Sequence, residues 1–285
     1  MEGFTHAVKP FFNSTTMKAK LIIAMLLASL TGMAQELYVF TEPASNMAAK
    51  SIGLRLNNFL MPATSTSKAT YYVVPEIMVG VSKKVMVHAD VFLSNRSKSF
   101  AADGGSVYAK YRFLSSDDVQ KHFRMAAYGR YSFNNSDIQQ EEINLYGRNT
   151  GFETGIIATQ LLHKVALSSG LSFVKAFDNG NNNKYPYGSS NSKALNYTLS
   201  VGKLMLPKEY KDYNQTNLNL MLEFLNQYNL GSGKYYMDIA PSVQLIFNSV
   251  ARVDVGYRQQ LSSTLNRMTP NGLFVRLEYN FFNVY

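Results

Sequence analysis

The stretch that decides the fold is GLFVRLEYNFFNVY, residues 272–285. Its side chains alternate in character. One side carries Leu273, Val275, Leu277, Tyr279 and Phe281, and the other carries Phe274, Arg276, Glu278, Asn280 and Phe282. A period of two indicates a β-strand that faces two different environments. In a soluble sandwich the apolar face is buried, whereas in a membrane barrel it meets lipid and the polar face lines the lumen.

The start of the chain has the pattern of a secretory signal peptide. Lys18 and Lys20 precede the apolar run LIIAMLLASL (residues 21–30), and Gly32 and Ala34 stand in the small-residue positions before a cleavage site. The run is too short for a transmembrane helix; the alternative interpretation is a buried N-terminal helix. We predict an upstream extension at residues 1–16, a signal peptide at 17–34, a periplasmic lead-in at 35–48 and a transmembrane β-barrel at 49–285.

The composition agrees with an exported barrel. The chain has no Cys, so an exported form must be held together by something other than disulfides. A closed barrel would do this, because every backbone group is paired between strands. The chain is 46% hydrophobic and contains 19 Tyr and 18 Phe, which suit the aromatic girdles of such barrels. The net charge of +9 does not indicate nucleic-acid binding in an exported protein.

The same alternation recurs along the chain, most clearly in VMVHADVFLS at residues 85–94. It predicts about 12 strands, at residues 50–60, 71–81, 85–94, 105–114, 122–133, 150–161, 165–175, 194–204, 216–225, 235–247, 250–261 and 272–285. The connections alternate between shorter and longer segments, as the periplasmic turns and outer loops of bacterial barrels do. The predicted periplasmic turns are 82–84, 115–121, 161–164, 207–215 and 248–249, and the predicted outer loops, which are longer on average, are 61–70, 95–104, 134–149, 176–193, 226–234 and 262–270.

The closing strand, which ends on an aromatic residue, resembles the C-terminal signature of Gram-negative outer-membrane β-barrel proteins. Leu277, Tyr279, Phe281 and Tyr285 match its spacing, and Asn283 departs from it where an apolar residue is usual. The resemblance implies contact with barrel-assembly machinery and concerns architecture, not a particular functional family. We therefore predict an all-β protein, an antiparallel transmembrane β-barrel in the outer membrane of a Gram-negative bacterium. A soluble β-sandwich is the alternative, and roughly a dozen half-apolar strands give it too much apolar surface to bury.

The face opposite the lipid collects charges of both signs. The candidate lumen-lining residues are Arg55, Glu76, His88, Asp90, Lys110, Arg112, Arg124, Arg130, Glu223, Asp238, Arg252, Asp254, Arg258, Arg276 and Glu278, together with Glu153. Such charges can pair across a narrow lumen and fill it, or they can line a polar channel. In the second case the slight excess of basic side chains predicts a weak anion preference.

Little in the sequence indicates catalysis. Met86, His88 and Asp90 share one strand face, but strand neighbours at this spacing lie roughly 7 Å apart, so we predict no metal site. We find no catalytic constellation and predict no cofactor, although a barrel-embedded lipid hydrolase remains a less favoured alternative. The favoured function is a passive channel or binding barrel for small polar solutes. The runner-up is a structural or assembly-associated protein with a charge-plugged lumen. Expected partners are outer-membrane lipid, assembly machinery and small polar solutes, not nucleic acid.

Overall fold

Twelve antiparallel strands close into a barrel in the computed structural model, which describes residues 38–62, 69–96, 99–118, 121–209, 214–268 and 270–285. The strands are β1 (Ser51–Met61), β2 (Thr70–Gly80), β3 (Val85–Ser94), β4 (Ala101–Asp118), β5 (Lys121–Asn134), β6 (Gly151–Leu162), β7 (Val165–Ala176), β8 (Lys193–Leu206), β9 (Asn217–Asn229), β10 (Tyr235–Phe247), β11 (Ala251–Ser263) and β12 (Gly272–Phe281). The predicted all-β barrel of about 12 strands is confirmed. The predicted extension and signal peptide lie outside the described residues.

Strand β12 closes the barrel. It pairs with β1 from Ile52↔Phe281 to Leu60↔Leu273, and with β11 on its other side. Closure leaves no unpaired sheet edge. The strand ends at Phe281, so the prediction of a strand up to residue 285 is wrong for the last four residues. Asn283 has a φ of 54°, in the left-handed region, and the Tyr285 hydroxyl donates a hydrogen bond to the Gly80 carbonyl at 2.9 Å.

The alternation of side chains sorts the barrel into an apolar outer wall and a polar interior. On β3, for example, His88 and Asp90 are buried inside, and Val91 is exposed on the outer wall. Aromatic residues gather near both ends of the outer wall: Tyr131 and Phe133 at one end, and Tyr279 and Phe281 at the other. This is the distribution of side chains that a lipid-embedded barrel requires. Among the described residues, no helix has the length and apolar character needed to cross a bilayer.

The connections at one end of the barrel are longer on average than those at the other, as the sequence predicts. Residues 81–84, 163–164 and 248–250 are short connections at the end where β1 begins and β12 ends. Asn248 and Ser249 both adopt positive φ values, of 50° and 58°, as a type I′ hairpin turn requires. The longer connections, at residues 62–69, 95–100, 135–150, 177–192, 230–234 and 264–271, lie at the opposite end.

Strand β4 is longer than the sequence predicts. A register shift between Arg112 and Leu114 lets the β4–β5 hairpin continue, and residues 115–118 pair with residues 121–124. The polar sequence SSDD there is typical of a turn, which is why the pattern indicates one at 115–121. Pairing of the backbone across the hairpin overrides that local preference. Strand β9 likewise continues to Asn229, beyond the predicted end at residue 225.

Candidate functional site in the barrel lumen

The chain that precedes β1 runs inside the barrel. We call residues 38–49 the lumen segment. Glu223 on β9 holds its first part: one carboxylate oxygen accepts hydrogen bonds from the backbone N–H groups of Val39 and Phe40, both at 2.9 Å. The other oxygen accepts from the N–H and the hydroxyl of Thr41, both at 2.8 Å. A buried carboxylate is thus satisfied by four donors from one segment, a strong and specific anchor.

Further contacts reach the lumen segment from other walls of the barrel. Arg276 on β12 donates to the carbonyls of Tyr38 and Val39, and Lys110 on β4 donates to those of Pro43 and Ser45 at 2.7 and 2.8 Å. The sequence predicts a periplasmic lead-in at residues 35–48. For residues 38–48, which the structure describes, this prediction is wrong, because they lie in the lumen. The sequence of this part, YVFTEPASNMAA at residues 38–49, has no period of two, so the pattern that identifies the strands carries no signal for it.

The candidate lumen charges form ion pairs. Arg55 contacts Glu278 at 2.8 Å and Glu76 at 3.3 Å, and also reaches Glu42 of the lumen segment at 2.9 Å. Arg252 contacts Glu278 at 2.7 Å and is 3.2 Å from Asp254. These pairs join neighbouring strands and engage Arg55 and Arg252, two of the basic side chains behind the predicted anion preference, which stays a prediction.

The remaining candidate residues have identifiable places. The contacts are Arg130 with Asp90 at 3.3 Å, Arg258 with Asp238 at 2.5 Å, Arg276 with Asp254 at 3.5 Å, Arg124 with Asp117 at 3.0 Å, and His88 with Glu76 at 2.6 Å. Arg112 is placed differently from the others. Its guanidinium donates to the Lys83 carbonyl at the 81–84 turn and is partly exposed, because the register shift beside it takes it to the rim of the barrel.

A second segment enters the lumen from the opposite end. We call residues 135–150, between β5 and β6, the lumen loop. Gln227 on β9 accepts a hydrogen bond from the Ile143 N–H at 2.9 Å and donates to its carbonyl at 2.8 Å. On another wall, Asn57 of β1 donates to the Tyr146 hydroxyl at 2.7 Å. The loop therefore crosses the barrel interior between β9 and β1.

Ionic contacts hold the middle of the lumen loop. The Glu142 carboxylate lies 2.7 Å from Arg267 and 3.5 Å from Arg258. Burial by itself would raise the pKa of Glu142, but the two guanidinium groups outweigh it and lower the pKa from 4.5 to about 2. Arg267 also forms two hydrogen bonds with Asp238, at 2.7 and 2.8 Å. Glu142 is therefore ionised at neutral pH and ties two loops to the barrel wall.

A chamber of about 300 Å³ lies between the lumen segment and the lumen loop. Residues 39–42 of the segment and 142–146 of the loop line it from its two ends. The surrounding wall is polar and aromatic, with apolar patches. Among the wall residues are Tyr108, Tyr128, Arg130, Glu153, Asn196 and Thr198. A cavity of this size lies at the small end of the range for ligand sites.

Sequence reasoning finds the strand residues of this site but misses the two inserted segments. Period-two alternation identifies side chains that face inward from a strand, and neither insert is a strand. One usable signal is present: EEINLYGR, residues 141–148, places Ile143, Leu145 and Tyr146 in a connection expected to meet water. Ile143 and Leu145 pack with Val174, Ala176 and Ala194. Arg267, expected in an outer loop, is also part of the site.

The Met86, His88 and Asp90 face is occupied by protein contacts. The His88 ring lies 4.9 Å from that of Tyr108 and pairs with Glu76, and Asp90 accepts hydrogen bonds from Ser106 and Arg130. Within the part of the chain that the structure describes, no group of three His, Cys, Asp or Glu residues is arranged to hold a metal ion.

No protein-family model matches the chain, and no curated protein matches it either. The chain has weak similarity to several solved structures. One is OccAB4 of Acinetobacter baumannii, with a TM-score of 0.37 and 9% sequence identity over 79% of this chain and 56% of that chain. Another is Salmonella typhi OmpF in complex with daunomycin, with a TM-score of 0.37 and 10% identity over 81% of this chain and 97% of that chain. A third is OmpT, an outer membrane protein of Vibrio cholerae, with a TM-score of 0.32 and 9% identity over 86% of this chain and 100% of that chain. The chain spans little over half the length of OccAB4. At these TM-scores the likenesses do not define an activity, and the architecture rests on the strand register of this chain.

Proposed function

We propose that the chain is an outer-membrane barrel that binds a small polar solute in its lumen and is closed to free passage in this form. The observation that carries the proposal is the occupied lumen: a segment and a loop enter from opposite ends and leave a chamber of about 300 Å³ between them. Two segments that lie across the lumen narrow the path that an open pore would need. A chamber with polar and aromatic walls is suited to hold a ligand.

The proposed location is the outer membrane of a Gram-negative bacterium, after cleavage of the signal peptide near Ala34. The apolar outer wall, the aromatic residues near both ends and the closed backbone ladder support it. Outer-membrane lipid would contact that wall, and assembly machinery would contact β12. Mass spectrometry of the mature N-terminus, combined with membrane fractionation, tests the location. Recovery of the protein in the soluble periplasm after carbonate washing would contradict it.

A purely structural barrel is the second candidate. The observation that favours it is the ion-pair network, since Arg55 and Arg252 share Glu278 and link β1, β11 and β12 where the barrel closes. The two candidates differ in one respect: only the first requires a ligand in the chamber. A lipid hydrolase or other enzyme gains no support from the lumen, where the His88 ring is buried and engaged with Glu76.

Planar-bilayer conductance tests the closed lumen. The refolded wild-type barrel should show no steady conductance. Substituting Glu223→Gln should produce conductance. The amide nitrogen of Gln cannot accept hydrogen bonds, so some of the Val39, Phe40 and Thr41 backbone N–H groups would lose their acceptor and the lumen segment would be held less firmly. Deleting residues 36–48 should produce conductance more strongly.

The matched control is Asp103→Asn, which alters a buried carboxylate of β4 that contacts Ser94 and Arg96 instead of the lumen segment. It should remain silent. Regular ion steps from the wild-type barrel would contradict a closed lumen and favour the passive channel. Silence of all the variants, together with no solute binding, would leave the structural barrel as the better account.

A further inference from the structure

We propose that the solute is a small zwitterion of the amino-acid type, with its carboxylate bound by Arg130 and its ammonium group bound by Glu153. This inference deepens the proposed function and rests on it. Arg130 on β5 and Glu153 on β6 are directly opposite each other in the strand register, and both line the chamber. Opposite charges in that relation attract each other across a sheet. Among the described residues, however, no salt bridge joins Glu153 to any cation, and Arg130 pairs with Asp90 instead.

Each of the two side chains is held by its own hydrogen-bond partners. Arg130 Nη1 donates to Ser106 Oγ at 2.8 Å and to Asp90 at 3.3 Å. Glu153 Oε1 accepts three hydrogen bonds, at 2.9, 2.5 and 3.2 Å, whose donors are Tyr128, Ser172 and Asn196. Each charge is thus engaged by its own partners, and the proposed solute bridges the two.

Both side chains keep unused hydrogen-bonding capacity. A guanidinium has five N–H donors, and within the described chain only Nη1 of Arg130 is used. The guanidinium lies against the rings of Tyr108 and Tyr146, with centroid distances of 5.1 and 5.0 Å, which leaves its edge available. Glu153 Oε2 accepts no hydrogen bond from the residues that the structure describes. One free cationic edge and one free carboxylate oxygen match a carboxylate and an ammonium group.

The size and the apolar part of the wall restrict the solute further. A chamber of about 300 Å³ suits a molecule of amino-acid size. Ile157, Val174 and Leu225 also line it and offer a surface for an aliphatic side chain. A zwitterion adds no net charge to the chamber, and this avoids the cost of burying an uncompensated ion.

The test uses three probes of nearly equal shape: leucine, 4-methylpentanoate, which lacks the ammonium group, and 3-methylbutylamine, which lacks the carboxylate. Binding to the full refolded barrel is measured by calorimetry after incubation to equilibrium. It is repeated with Glu223→Gln, so that slow access past the lumen segment cannot hide binding. Leucine should bind about tenfold or more tightly than either of the others, the difference expected for one lost charge-assisted hydrogen bond.

Variants assign the two ends of the solute. Arg130→Gln should weaken the binding of leucine and of 4-methylpentanoate but not of the amine, and Glu153→Gln should weaken leucine and the amine but not the acid. Glu141→Gln is the control, since Glu141 pairs with Lys234 away from the chamber and should leave all three affinities unchanged. Heat-modified migration in gels checks that each variant folds.

Equal affinities for the three probes, or binding of none of them, would overturn the inference. A barrel that is silent in bilayers and binds an uncharged sugar but not leucine would overturn this inference alone and leave the proposed function in place. A barrel that conducts steadily in its wild-type form would instead contradict the proposed function.

Discussion

At the scale of single residues, carboxylates decide where the two inserts lie. Glu223 gathers the backbone donors of the lumen segment, and Glu142 connects the lumen loop to Arg267 and Arg258. Both carboxylates are buried and satisfied by several partners. Removing one partner from such a buried arrangement is costly, whereas an exposed ion pair contributes little.

A pH series on Glu142→Gln tests the anchor of the lumen loop. Because the pKa of Glu142 is about 2 in the folded chain and ordinarily 4.5, its contribution to the free energy of unfolding is complete above about pH 4.5. That contribution is lost as the pH falls through about 2. The wild-type barrel should therefore exceed Glu142→Gln by about 3 kcal/mol at pH 7, and the difference should vanish near pH 2.

The control for this series is Glu141→Gln. Glu141 pairs at 2.6 Å with a Lys234 side chain that is 41% exposed, so its removal should cost at most about 1 kcal/mol. Thermal unfolding followed by heat-modified gel migration gives both differences. An effect of Glu142→Gln that is no larger than that of Glu141→Gln would show that the lumen loop is not held by this contact.

Gly80 is a second residue-scale test. A Cβ at Gly80 would lie 1.9 Å from the carbonyl oxygen of Ala48, so Gly80→Ala should push the end of the lumen segment away from β2. Gly129→Ala is the matched control, since its nearest contact is 3.9 Å away. With Ala44→Cys as the single cysteine of the chain, maleimide should label the Gly80→Ala barrel faster than the Gly129→Ala barrel. Equal labelling rates would contradict the seating of the segment.

At the scale of elements, strand β8 offers a clean comparison between the two faces. Leu199 is exposed on the outer wall, and the preceding Thr198 lines the chamber. Leu199→Arg places a charge against lipid near the middle of the strand, which costs about 2–4 kcal/mol in barrels, whereas Thr198→Arg places it in a polar interior. The yield of assembled barrel in membranes should fall for Leu199→Arg and less for Thr198→Arg. Equal yields would mean that the outer wall is not in contact with lipid.

The strands could be predicted from the sequence because alternation is a local property. The pattern predicts inward positions for Asp90, Asp238 and Arg252, and all three side chains are buried. An error of one residue in the assigned register would have placed them on the outer wall instead. The lumen segment and lumen loop could not be placed in this way, because their positions depend on contacts that span long separations. Val39 and Glu223, for example, lie 184 residues apart. The extension of β4 was missed because SSDD favours a turn locally and only the partner strand overrides it.

At the scale of the whole molecule, the central claim is that the chain closes its own barrel. The lumen segment contacts β9, β12, β4 and β1, and the lumen loop contacts β9 and β1 from the other end. A barrel closed in this way can hold a solute without conducting ions. It can open only if one of the inserts moves.

Site-specific cross-linking in native membranes tests this claim most directly. Ala44 of the lumen segment packs with Ala126 of β5, whereas Ala240 is buried on β10, five strands away around the barrel. Since the chain has no Cys, any cross-link within the chain must join the two introduced cysteines. A short thiol cross-linker, with mass spectrometry of the joined peptides, should link Ala44→Cys to Ala126→Cys in most molecules and should not link it to Ala240→Cys. Absence of the first link, or equal yields of both, would contradict a lumen segment that is fixed inside the barrel.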